Sequence, residues 1–176
     1  MKNKILKSML LVSSFSIPTI AISCNNPEEP KAEDSQAKKD YSASLELTNY
    51  YGSMLNETEK VKFDEKLKEI EDSLENPSDT KYSEAKTKLD EYRTNELLNK
   101  NSVKIALLEK IRISTNVEVK NNSPAYIKDL KAIHDEIETK YNELKNNKNE
   151  EEVSSEKAKL YDLVNPKMQE AINKMK

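Results

Sequence analysis

The chain has 176 residues, 35% of them charged and 35% hydrophobic, with a mean hydropathy of -0.88 and a net charge of -3. One Cys rules out an intramolecular disulfide, and one Gly argues against folds built on phosphate-cradling loops or many tight hairpins. The apolar fraction is low for a compact globule but normal for long amphipathic helices with one solvated face, and Lys mixed with Glu in an acidic chain argues against a nucleic-acid partner.

The N-terminus reads as a secretory signal. Lys2, Lys4 and Lys7 form a positive start, and an apolar run follows from Met9 to Ile22, broken late by Pro18. The run is shorter than the roughly 20 apolar residues of a membrane-crossing helix. Removing it with its three Lys leaves 26 basic residues against 32 acidic ones, so the remaining chain is near -6. Ala21-Ile22-Ser23 then lead into Cys24, and a polar stretch follows at once.

This arrangement resembles the lipobox of bacterial lipoproteins, with Ala21 standing where Leu is most frequent. The resemblance implies recognition of Ala21, Ile22 and Ser23 by the lipoprotein signal peptidase. It also implies a diacylglyceryl group on the sulfur of Cys24. Two acyl chains on one cysteine make a stable anchor, because each buried methylene contributes about 0.8 kcal/mol. The leader from Met1 to Lys7, together with Cys24-Asn25-Asn26 and the Lys-, Asn-, Glu- and Ile-heavy composition, is similar to mollicute (mycoplasma) surface lipoproteins. Among these it resembles the variable adherence-associated antigens and other surface adhesins. The match in residues covers the leader, and in the rest of the chain it is one of composition.

Three segments are therefore expected: a removed signal peptide at 1-23, a lipidated Cys and disordered linker at 24-44, and a helical domain at 45-176. The linker expectation rests on Asn, Pro, Glu, Lys, Ser and Asp without apolar periodicity, which cannot offset the entropy of ordering. The fold class expected is all-α, an elongated bundle of antiparallel helical hairpins.

In chain order, Leu45 to Leu55 suits a short helix. Asn56 and Glu59 have capping-box spacing before Val61, Phe63, Leu67, Ile70 and Leu74, and Asn76-Pro77 stops that helix. Tyr82, Ala85, Leu89 and Tyr92 continue a second helix, and the two should pair as a hairpin. Val103 to Val119 reads either way: the first part suits a helix over 102–113, whereas Thr115 to Val119 alternates like a strand. Ser123-Pro124 has the chemistry of a helix start. Ile127, Leu130, Ile133, Ile137, Tyr141 and Leu144 then give the strongest periodic signal. A last helix spans Val153 to Lys174, where Pro166 should kink or divide it. Leu67 to Leu74 echoes Leu130 to Ile137, and Ser83 to Lys86 more faintly echoes Ser155 to Ala158, which raises the question of an internal duplication.

No catalytic, cofactor or metal constellation emerges from the residues. His134 is the single His and lies on or beside an apolar stripe, where packing explains it. Carboxylates such as Glu69, Glu71, Asp72 and Glu75 alternate with Lys, as on a solvated helix face. Tyr41, Tyr50 and Tyr51 cluster near the linker, and Tyr is favoured at recognition surfaces, so they are candidate contacts for a partner.

The location expected is the outer face of the cell membrane. The expected task is adhesion or another interaction with an external macromolecule, without catalysis; adhesion comes from the family resemblance. The alternatives are a passive coat antigen, a substrate-binding lipoprotein of a transporter, and a lipid-anchored enzyme such as a nuclease.

Overall fold

A computed structural model describes residues 34–120 and 127–174 of the chain. The described residues form an all-α bundle: α1 Gln36–Gly52, α2 Glu57–Asp72, α3 Asp79–Asn95, α4 Asn101–Lys120, α5 Ile127–Leu144 and α6 Glu150–Asn173, with a short 3-10 turn, Leu97–Asn99, between α3 and α4.

Local chemistry sets many of the helix ends. Asn56 and Glu59 form the expected capping box, with Glu59 N donating to Asn56 Oδ1 at 2.9 Å and Asn56 N donating to Glu59 Oε2 at 3.4 Å. Ser35, Ser78 and Asn149 cap α1, α3 and α6 in the same way with their side-chain oxygens. Before Pro77, Asn76 adopts a left-handed φ of 53°, a conformation Asn tolerates, and this turns the chain from α2 into α3.

The first helix begins nine residues before Leu45, so the linker expectation over 24-44 fails from Gln36 onward. The reason lies in the face it buries. Tyr41, Ser44, Thr48 and Tyr51 recur at helical spacing and are buried, whereas Leu45 and Leu47 are only half-buried. A stripe of hydroxyls does not look like a core until its partner is known.

That partner is α3, which runs parallel to α1 and packs on it more extensively than α2 does on either. Arg93 Nη1 donates to Ser44 Oγ at 3.2 Å and to Thr48 Oγ1 at 3.3 Å. Arg93 Nη2 donates to Asp90 Oδ1 at 2.6 Å, and Ser44 Oγ donates to the same oxygen at 2.6 Å. Lys86 Nζ donates to the other carboxylate oxygen of Asp90. Thr48 donates back to the Ser44 carbonyl at 2.7 Å. Among the described residues no buried side-chain N or O atom is left without a partner, so the cost of burying these groups is met. The expected α2–α3 hairpin is present, but the dominant contact of this half is α1 on α3.

The α1–α2 corner is set by the only Gly of the chain. The Phe63 ring is fully buried, lies against Gly52 and stacks on Tyr92 with centroids 6.3 Å apart. A Cβ on Gly52 would fall 2.2 Å from Phe63 Cζ. The corner therefore needs Gly for close approach, not for an unusual φ.

In the second half α4 is helical throughout, so Thr115 to Val119 is helix and not strand. Thr115 is fully buried, and its hydroxyl donates to the Ile111 carbonyl at 2.9 Å. Packing overrides β-propensity here. Helix α5 returns antiparallel to α4: Glu109, Arg112 and Thr115 meet Tyr141, Glu138 and His134 in reverse order. Helix α6 is antiparallel to α5, with Lys140–Glu156, Lys167–Glu136 and Lys174–Asp129 ion pairs. Pro166 does not divide α6. It sits on the exposed side, where water can reach the carbonyl that its missing N–H leaves open. The expected cap at Ser123-Pro124 lies outside the described residues.

The internal echo has a structural counterpart in part. Leu67 and Ile70 of α2 correspond to Leu130 and Ile133 of α5, and all four are buried. Each belongs to the middle helix of a three-helix set in which the outer two pack most closely. The fainter echo is out of register, because Ala85 is buried whereas the aligned Lys157 is half-buried beside buried Ala158.

Two outcomes test this account. Gly52→Ala should destabilise the chain by about 1–3 kcal/mol in urea unfolding, although Gly to Ala in a helix ordinarily stabilises by about 0.5–1 kcal/mol. Burial alone would push the Asp90 carboxyl up, but hydrogen bonds from Lys86, Ser44 and Arg93 outweigh it and hold the group below its usual range. The carboxylate therefore contributes stability above the unfolded value near 3.9, and this is lost as pH falls through the lower folded value. Asp90→Asn should cost about 2 kcal/mol at neutral pH, and the gap from the natural chain should narrow below about pH 4.

Candidate functional site

The candidate site is a cleft where the α5–α6 connection closes over the start of α4, with a volume of about 410 Å³. Its floor comes from three helices: Ile105 of α4, Tyr141 and Leu144 of α5, and Val153 of α6. Helical spacing explains their convergence. Tyr141 and Leu144 continue the inward stripe of α5 beyond Ile137, at the level where α4 begins and α6 starts its first turns.

Tyr141 is the best-determined wall. Its hydroxyl donates to Glu109 Oε2 at 3.3 Å. The Arg112 guanidinium lies 5.0 Å from the ring centroid and the Lys157 ammonium 4.7 Å from it, two cation–π contacts on one ring. Arg112 also donates to Glu109 at 2.9 Å and to Glu138 at 2.5 Å, joining α4 to α5. Burial, reinforced by the charge of Glu109, pushes the Tyr141 phenol up to about 12. The Glu138 carboxyl is held below its ordinary range by its hydrogen bond from Arg112.

The rim is polar. Lys145, Asn147 and Glu150 come from the end of α5, the connection and the first turn of α6, and Ser154 and Lys157 from the next turns. Glu109, Glu138 and Glu156 behind this wall are already engaged with Arg112, Lys140 and Lys159. The arrangement offers an apolar floor with cationic and hydrogen-bonding groups around it. No pair of groups in it has the nucleophile–base relation that covalent chemistry needs.

The residues singled out in the sequence lie elsewhere. Tyr41 and Tyr51 are buried, at 7% and 9% exposure, so they do not form an exposed contact patch. Tyr41 packs near Tyr82 at 5.7 Å, and Tyr51 meets Tyr50 edge-on at 5.3 Å. Half-buried Tyr50 lies 5.6 Å from the Lys110 ammonium, at the junction of the two halves. Tyr41 and Tyr51 share a helix face with Ser44 and Thr48, and in α1 that face is the core. Ala21, Ile22, Ser23 and Cys24 lie outside the described residues. Half-buried His134 has Nδ1 3.3 Å from the Thr115 hydroxyl, a contact between α5 and α4. Among the described residues no group of three or more His, Cys, Asp or Glu is placed to hold a metal ion. No helix among them is long and apolar enough to cross a membrane.

The cleft is not legible in the sequence. Tyr141 and Leu144 belong to the apolar stripe of α5, but the convergence of Ile105 and Val153 on them depends on the α4–α5–α6 packing. No protein-family model matches the chain, and neither a curated protein nor a solved structure does.

A raised phenol contributes stability that is complete below the unfolded value near 10 and is lost as pH rises towards about 12. Tyr141→Phe should therefore lose helicity less steeply across that alkaline window than the natural chain, as read by circular dichroism.

Proposed function

We propose that this chain is a lipid-anchored surface protein that presents its helical domain to an external macromolecule, in adhesion or a related binding role. The observation that carries the reading is Ala21-Ile22-Ser23-Cys24, closing an apolar run that starts behind Lys2, Lys4 and Lys7. Small residues before a lone Cys, with polar sequence directly after it, suit lipidation of that sulfur. Two acyl chains hold a protein on a membrane where one does not.

The domain suits display more than chemistry. Its helices carry Lys–Glu and Lys–Asp pairs on their solvated faces, such as Lys60–Asp64 and Lys66–Glu69. Many copies tethered to one surface add avidity to any weak single contact. The transporter alternative rests on two α/β lobes, whereas the described residues form one all-α unit from Asp34 onward. A passive coat antigen shares every feature of the anchor and differs only in lacking a saturable partner.

Two measurements test this reading. The natural chain expressed in a lipoprotein-processing bacterium should incorporate labelled palmitate, and Cys24→Ala should not. Absence of label in the natural chain, or equal label in both, would overturn the anchor. Labelled fragment 34–176, which keeps all of α1, should bind cultured animal cells saturably and be displaced by unlabelled fragment. Linear, non-competable uptake would remove the adhesive role and leave the coat reading.

A further inference from the structure

We propose that the cleft between α4, α5 and α6 binds a monocarboxylate with a short apolar chain, the chemistry of a medium-chain fatty acid. The proposal does not depend on where the chain is anchored or on any adhesive role.

The floor fixes the first half of the ligand. Ile105, Leu144 and Val153 line the cleft with the Tyr141 ring, and they offer no charge to a group lying on them. The volume of about 410 Å³ is within the range of small-molecule sites, but the cleft is more open than enclosed, so a bound chain keeps one side in water. An apolar chain laid on this floor leaves water, at about 25 cal/mol per Å² of area removed.

The rim fixes the second half. Lys145 has no ion-pair partner among the described residues, and Lys157 is held by the Tyr141 ring instead of by a carboxylate. The acids behind the Tyr141 wall are occupied: Glu109 and Glu138 by Arg112, Glu156 by Lys140 and Lys159. Among the described residues Glu150 is the one carboxylate that lines the cleft, beside Lys145 and Lys157. The excess of one positive charge is confined to the rim, because Glu109 and Glu138 share the single charge of Arg112 behind it. It favours an anionic head and disfavours a cationic one. The Ser154 hydroxyl and the Asn147 amide supply donors that a carboxylate can accept from.

The chemistry separates this ligand from its near relatives. An alcohol of the same chain length would reach the floor without engaging the two ammonium groups. A quaternary ammonium amphiphile would meet them with like charge.

The test is calorimetric titration of the full 176-residue chain with decanoate below its micelle concentration, beside decanol and decyltrimethylammonium. The expected result is saturable binding of one decanoate, weakened by salt, with little or no binding of the cationic amphiphile. Lys145→Gln with Lys157→Gln should weaken decanoate about tenfold while leaving the helical circular dichroism unchanged. Because Lys157 also contacts Tyr141, Lys145→Gln alone is the second variant and should weaken binding by a smaller factor. Absence of saturable decanoate binding overturns the proposal. So does equal binding of decanoate and decyltrimethylammonium, or undiminished binding in both variants.

Discussion

The Arg93 guanidinium on α3, held against the hydroxyl face of α1, is the interaction on which the first half of this protein depends. Arg93 is nearly enclosed, its side chain 15% exposed, and it needs both a counter-charge and hydrogen-bond acceptors. Asp90 supplies the charge from one turn earlier on the same helix, and Ser44 and Thr48 supply acceptors from α1. Ser44 in turn donates to Asp90, so the two helices are cross-linked in both directions. Without α1, Arg93 and Asp90 would keep only each other and Lys86. Without the pair, the buried Ser44 and Thr48 would face α3 with little to bond. The arrangement explains why a helix forms from a segment with so little apolar surface.

The second half relies on a different balance. Its core is aliphatic, with Val103, Leu108, Leu130, Ile137, Val164 and Met168 almost wholly buried, and its polar links lie nearer the surface. Arg112 bridges Glu109 and Glu138 beside Tyr141, and Lys140, Lys167 and Lys174 tie α5 to α6. Exposed pairs of this kind add little stability each, so apolar burial dominates there. The halves meet where Ser102 donates to Glu59 at 2.5 Å and Lys110 approaches Tyr50. Glu59 is thus both a capping residue of α2 and an acceptor from α4. Leu97, fully buried in the 3-10 turn, anchors the crossing between them.

The proposed outward display and a small apolar cleft are compatible in one molecule. The surface role proposed rests on the cysteine and the leader before it, whereas the cleft rests on the convergence of α4, α5 and α6. Adhesion would use solvated helix faces, where charge alternates. The cleft is confined to the end of the second half where the α5–α6 connection lies, with an apolar floor and a cationic rim.

The sequence by itself determined the helical class, because periodic apolar residues with charged neighbours and almost no Gly leave no other economical way to bury a core. It determined α2, α3 and α5 through Phe63, Leu67 and Ile70, through Ala85, Leu89 and Tyr92, and through Leu130, Ile133 and Ile137. It also determined the α2 capping box, since Asn56 and Glu59 act within one turn. Only the tertiary structure decided the rest. The extent of α1 depended on Arg93, far along the chain, giving buried hydroxyls their partners. The helical state of Thr115 depended on burial against α5, which outweighed its local preference. The fate of Tyr41 and Tyr51 depended on which face α3 covered, and the cleft on where three separate helices end and begin. Local signals reach one or two turns along the chain, whereas these outcomes were set by residues that meet only after it folds.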